Sequence, residues 1–302
     1  MEDALRTRFL NWETATPLVL PAGVLGTSFS SMLACAEAGA GFITTKSATL
    51  TPRPGHHGPV VAPTPAGLLN AVGISNPGIG LVLAEVDDFT ARRDTPIAVS
   101  LFADNVADFV ELTRHVNGST ASAIELNLSC PNVSDEFGAP LAASPTTVAQ
   151  IVEAVRAVSR VPVIAKLSPN VTSVPIIAKA AETAGAHAIC AINTLGPGMS
   201  IDLATGRPVL ANRTGGLSGP AIRPIAVRIV HELAQTVSVP IIGVGGVSCW
   251  QDAAEMLLAG ATMVGVGTAV YQHGAETFRT IETGLRNYLQ NREGIHAGTA
   301  HG

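Results

Sequence analysis

The sequence predicts an α/β fold, a (β/α)8 TIM barrel running through residues 1–302 as one domain. Three observations carry that expectation. Short Val- and Ile-rich runs recur eight times, each is followed by an Ala-rich amphipathic stretch of helical length, and polar residues gather where the runs end. The 302 residues are 47% hydrophobic and 14% charged, ample for one large core.

Taken in order, the strands fall at Pro17–Pro21, Gly41–Ser47, Pro96–Phe102, Ala123–Ser129, Pro162–Ser168, His187–Asn193, Pro240–Gly246 and Thr262–Thr268. Helices are expected after them at Ser28–Ala38, Gly78–Arg93, Asn105–Val116, Pro145–Ser159, Val174–Gly185, Ala221–Val237 and Cys249–Ala259, and Ala269–Leu289 closes the barrel. Long loops follow strands 2, 4 and 6. Those over Ala48–Asn76 and Thr194–Gly219 exceed ordinary βα connections, and long ordered loops usually carry function. They lie on the carboxyl side of the strands, the face on which an eight-stranded barrel of this kind places its active site.

Composition narrows the function. Net charge is −5 with a pI near 5.9 and no basic cluster, which leaves a nucleic-acid surface without its phosphate contacts. No apolar stretch reaches the roughly 20 residues of a spanning helix, and the acidic start Met1-Glu-Asp lacks a signal-like apolar region. A soluble, cytoplasmic protein acting on a small molecule is expected, away from membranes. Cys35, Cys130, Cys190 and Cys249 form no CxxC pair, which argues against zinc, disulfides or an iron–sulfur cluster in this chain. Adjacent His56 and His57 read as a solvated pair, since neighbouring histidines rarely share one metal ion.

The strand ends carry the candidate chemistry. Of 18 basic residues only three are lysines, and Lys46 and Lys166 both close strands, where an ammonium is directed into the barrel mouth toward an anionic or negatively polarised ligand. A snorkelling or ion-paired core lysine is the alternative for each. Gly243-Val-Gly-Gly-Val-Ser248 and Gly265-Val-Gly-Thr268 end strands seven and eight with unobstructed backbone N–H groups, where such barrels bind phosphate. Ser248 stands where a dinucleotide fingerprint needs its third glycine, so a Rossmann site is not expected. Asn127-Leu-Ser-Cys-Pro-Asn132 places a thiol between two asparagines on the loop after strand four. A thiolate there can accept a proton while the amides hold a polar heterocycle. These residues alone leave open a flavin-free, phosphate-binding lyase or isomerase.

Asn127-Leu-Ser-Cys-Pro-Asn132 resembles the catalytic loop of class 1 dihydroorotate dehydrogenases, with cysteine where class 2 has serine. Thr45–Arg53, Asn70–Gly78, Lys166–Asn170, Ile192–Thr194, Gly215–Ile222 and Gly243–Gly246 resemble family motifs and occur in family order. The resemblance implies FMN as cofactor, bound by Ala22, Gly23, Lys46, Ser47, Asn127, Lys166, Gly216, Gly245, Gly246, Gly267 and Thr268. It implies dihydroorotate as substrate and orotate as product, held by Lys46, Asn70, Gly73, Ile74, Asn127, Asn132, Asn193 and Thr194, with Cys130 as the catalytic base. Asn193–Leu210 followed by Gly-Gly-Leu-Ser-Gly-Pro is closer to class 1B than to class 1A. Class 1B implies a homodimer core and an electron-transfer subunit that carries FAD and a 2Fe–2S cluster and delivers electrons to NAD. The other readings are a fumarate-dependent class 1A enzyme and an FMN barrel reductase acting on another pyrimidine.

Overall fold

The structure is a computed structural model that describes residues 4–128 and 144–290 of the chain. In chain order, a hairpin of β1 (Thr7–Phe9) and β2 (Trp12–Thr14) precedes β3 (Leu18–Leu20), α1 (Phe29–Glu37) and β4 (Phe42–Thr44). Two short strands, β5 (Val61–Thr64) and β6 (Gly67–Asn70), lead to α2 (Ile79–Thr90), β7 (Ile97–Leu101), α3 (Val106–Val116) and β8 (Ala123–Asn127). The chain continues through α4 (Pro145–Val158), β9 (Val163–Lys166), α5 (Val174–Thr183) and β10 (Ala188–Ala191). Then come β11 (Leu195–Gly198), β12 (Ile201–Asp202), β13 (Arg207–Pro208) and β14 (Gly215–Ser218). The last part holds α6 (Arg223–Ala234), β15 (Ile241–Val244), α7 (Trp250–Leu258), β16 (Met263–Gly265), α8 (Thr268–His273) and α9 (Thr277–Gln290).

Strands β3, β4, β7, β8, β9, β10, β15 and β16 close a parallel barrel in that order, with Val264 on β16 in register with Leu18 on β3. All eight predicted strands are therefore present. Side chains alternate across each strand. Outward residues such as Ile43, Val99, Ile124, Val163 and Ile189 pack on the helices in the main core. The helices follow the matching period: α4 buries Val148, Ile151, Val152 and Val155, and the Ser144 side chain caps it by accepting from Thr147 N.

Inside the barrel, Val19, Phe42, Ala98, Ala123, Ile164, Ala188, Ile242 and Met263 make a separate apolar cluster with Phe9 of the hairpin. Phe9 meets Phe42 edge-on, with ring centroids 5.3 Å apart, and Trp12 lies 6.2 Å from the same ring. The hairpin thus plugs the amino end of the barrel with hydrocarbon. The carboxyl end stays polar and open.

Two expectations are corrected. The segments after the second and sixth barrel strands are not plain loops: β11, β14, β6 and β5 form a four-stranded antiparallel sheet in that order, with Gly216 opposite Asn70, while β12 and β13 form a separate hairpin. The closing helix is two helices, because Gly274 at φ +79° ends α8 in a conformation that a side chain resists. Among the described residues no helix is long and apolar enough to cross a membrane.

Candidate active site

Five barrel strands deliver polar or glycine residues to one cleft at the carboxyl end. Ala22 and Gly23 follow β3, Lys166 ends β9, and Asn193 and Thr194 follow β10. Gly245 and Gly246 follow β15, and Gly267 and Thr268 follow β16. Asn70 reaches the cleft from the antiparallel sheet, which supplies one wall. Lys46, Ser47 and Asn127 stand at the ends of β4 and β8 without lining the cleft directly.

The two lysines determine the electrostatics. Lys166 is 5% exposed, and its Nζ lies 3.9 Å from Oε1 of Glu125, a residue only 1% exposed. Burial, then the neighbouring Lys166 charge, hold the Lys46 ammonium below the ordinary lysine pKa. Beside them the Asn127 amide donates to Ser47 Oγ at 3.0 Å, Ser47 and Ser100 share a hydroxyl bond of 2.9 Å, and Ser100 N donates to Thr45 Oγ1. This chain of bonds fixes the direction of the Asn127 amide from beneath.

The remaining amides are also held. Asn70 Nδ2 donates to Gly216 O at 3.3 Å across the sheet. Asn193 Oδ1 accepts from Thr194 N at 2.7 Å, and Asn170 braces the same stretch by donating to Thr194 O and accepting from Gly196 N. Gly73 and Ile74 sit in consecutive left-handed conformations, φ +71° and +53°, outside the cleft lining, although their neighbour Val72 lines it. Buried Asn76 secures them: its Nδ2 donates to Ile74 O at 2.8 Å, and its Oδ1 accepts from Thr49 N and Gly78 N.

The glycine end has the opposite character. Gly245 and Gly246 have φ +137° and +79°, and a Cβ on Gly246 would stand 2.5 Å from Arg223 Cβ, so the backbone turns there bare of side chains. Thr268 Oγ1 donates to Ser218 Oγ at 2.9 Å and ties α8 to the sheet. Gly216 lies in β14 with Thr194 Oγ1 against it, behind the cleft lining rather than in it.

Known proteins bear on this geometry. The family model described as dihydroorotate dehydrogenase matches residues 4–289. The chain belongs to the dihydroorotate dehydrogenase family. Relatives named "Dihydroorotate dehydrogenase B (NAD(+)), catalytic subunit" include one from Methanothermobacter thermautotrophicus, 41% identical over 94% of this chain and 93% of its own length. Those from Pyrococcus furiosus and Methanocella arvoryzae are 43% and 42% identical, each over 91% of this chain and 90% of its own length.

The cleft fits the FMN that a dihydroorotate dehydrogenase implies. Bare backbone at Gly245, Gly246 and Gly267 suits a phosphate, Val24, Val244 and Ile192 give an apolar wall for rings, and buried Lys166 offers a cation at the other end. Cys130 and Asn132 lie outside the described residues. Cys35 and Cys190 are buried and held as thiols. Burial pushes the Cys35 thiol up to about 11, and burial followed by the Glu125 charge pushes Cys190 well above the ordinary thiol range. His56 and His57 are exposed, and no group of three metal-ligating side chains occurs among the described residues.

Sequence reasoning missed Ser218, Tyr271 and Glu125. The first two line the cleft from the sheet and α8, and Ser218 was visible only as part of a quoted motif. Glu125 carried a plain signal, an acid in the middle of the apolar run Ala-Ile-Glu-Leu-Asn.

Proposed function

We propose that this chain is the catalytic subunit of a dihydroorotate dehydrogenase that oxidises dihydroorotate to orotate in pyrimidine biosynthesis. The observation that carries the reading is the joining, in one cleft, of a bare glycine end with a lysine- and asparagine-rich end, in a chain of this family. Backbone at Gly245, Gly246, Gly267 and Thr268, with Ala22, Gly23 and Gly216 nearby, would hold the FMN phosphate, and Lys46, Lys166, Ser47 and Asn127 would hold its ring system. When bound, FMN supplies the acceptor for the hydride that leaves C6 of dihydroorotate.

The chain's own residues do the rest. Lys46 neutralises the substrate carboxylate, helped by the low dielectric that already lowers its pKa. Asn70, Asn127, Asn132, Asn193 and Thr194 orient the ring amides, and the Gly73–Ile74 backbone limits where the ring can sit. Cys130 removes the C5 proton as general base. An amide does not titrate usefully, so the asparagines orient the ring and leave proton transfer to the thiolate.

The relatives' name supports NAD+ as the final acceptor, reached through an electron-transfer subunit with FAD and a 2Fe–2S cluster. We place the protein in the cytoplasm as one barrel domain with a homodimer core.

The test is anaerobic addition of dihydroorotate to FMN-loaded protein, followed at the flavin band near ~450 nm. Rapid bleaching is expected. Cys130→Ala should keep its yellow colour and bind orotate, yet lose about 10²–10⁴-fold in reduction rate, the usual worth of a general base. Bleaching by Cys130→Ala at the unaltered rate removes the thiol from the mechanism, and a protein that stays yellow with substrate refutes the reading of its substrate.

A further inference from the structure

The mechanism above makes no use of Glu125. This residue is the third of five in β8, on the same inward face as Ala123 and Asn127, and is 1% exposed. Its Oε1 has no hydrogen-bond partner, one of three such buried side-chain oxygens among the described residues, and the Lys166 ammonium lies 3.9 Å from it. The Cys190 thiol of β10 is a further neighbour of the carboxylate, its pKa raised by burial and then by the Glu125 charge. A carboxylate withdrawn so fully from water is retained only beside a compensating charge, and Lys166 supplies that charge.

The charge balance of the site follows. Two ammonium groups, Lys46 and Lys166, are close enough to repel each other, and one carboxylate lies beneath them. We infer that Glu125 is a positioning residue that anchors Lys166 from below and offsets one of the two lysine charges facing the cofactor, so that it sets the reduction potential of the bound flavin. This rests on the proposed placement of FMN with its ring system at the lysines. A flavin gains negative charge on reduction, and in a low-dielectric interior an uncompensated second ammonium favours that reduced state. Removing the carboxylate therefore raises the potential; removing the lysine lowers it.

The test uses FMN-loaded protein and two readouts independent of turnover, the midpoint potential of the flavin and the affinity of the oxidised flavin for sulfite. Glu125→Gln keeps the shape and removes the charge. It should bind sulfite about tenfold more tightly and raise the two-electron potential by about 30 mV, the equivalent of that tenfold change. Lys166→Met should move both readouts the other way by at least as much. The double variant should match Lys166→Met within about threefold, because a buried carboxylate that has lost its compensating lysine takes up a proton and carries no charge. A role in packing alone would leave the potential of any folded, FMN-loaded variant where it was.

Wild-type potential and sulfite affinity in Glu125→Gln, with Lys166→Met shifted, would overturn the inference while leaving the cofactor placement intact. An unshifted Lys166→Met would overturn both. Should Glu125→Gln alone yield no folded holoprotein, Glu125→Met makes the same comparison with a neutral side chain of similar length. A raised potential with tighter sulfite binding supports the inference, and wild-type values of both overturn it.

Discussion

Lys46 sits two residues past the end of β4, where burial and the nearby Lys166 both disfavour its charge. Its folded-state pKa is lowered, so the folded chain binds that proton less tightly than the unfolded one. The resulting cost to stability is present at neutral pH and fades as pH rises from the folded value toward the ordinary lysine value. Lys46→Met should accordingly raise the thermal midpoint of the ligand-free protein by a few degrees at neutral pH, with the gain shrinking in alkaline buffer. It should also weaken orotate about 10–100-fold, since a charge-assisted contact is worth about 1.5–3 kcal/mol. A lower midpoint together with unchanged orotate affinity would make Lys46 structural. The residue was legible in the sequence because lysine is scarce and this one ends a strand. What could not be read was its partner, since Glu125 lies 41 positions before Lys166 and meets it only once the barrel closes.

At the scale of elements, the barrel strands were legible and the sheet over their carboxyl ends was not. Each barrel strand is an apolar run covered on both faces, which leaves a clear pattern. The strands of the antiparallel sheet are four residues long and include Leu-Gly-Pro-Gly at β11 and Gly-Gly-Leu-Ser at β14, which have no alternation, and β14 pairs with β6 from far away in the chain. Only their excessive length as loops betrayed them. The turn after β6 shows how such segments become precise. Asn76 spends both ends of its amide on Thr49, Ile74 and Gly78, and so holds two successive left-handed residues that would otherwise relax. Asn76→Ala should raise KM for dihydroorotate roughly tenfold, about 1.4 kcal/mol, with FMN content and the rate of flavin reduction at saturating substrate little changed. Steady-state kinetics on the FMN-loaded variant checks this, and an effect on kcat alone would refute the positioning role.

Across the whole molecule the two ends of the barrel have separate duties. The amino end is closed by the β1–β2 hairpin, whose Phe9 is fully buried against Phe42, and it contains no group that touches the cleft. The carboxyl end gathers the lysines, amides and bare glycines. Barrels of this kind put stability at one face and chemistry at the other, and here a layer of buried polar residues, Ser100, Glu125 and Lys166, divides the two. Phe9→Ala removes a ring from a close-packed interior and should cost about 3–5 kcal/mol of unfolding free energy. In urea denaturation the midpoint should fall with the slope unchanged, because the surface exposed on unfolding is nearly the same. The affinity for FMN and the rate of flavin reduction by dihydroorotate should stay within about twofold, since sites without shared partners add independently. A loss of cofactor affinity that tracks the loss of stability would mean that packing strain passes through the polar layer, and the ends would then be one cooperative unit.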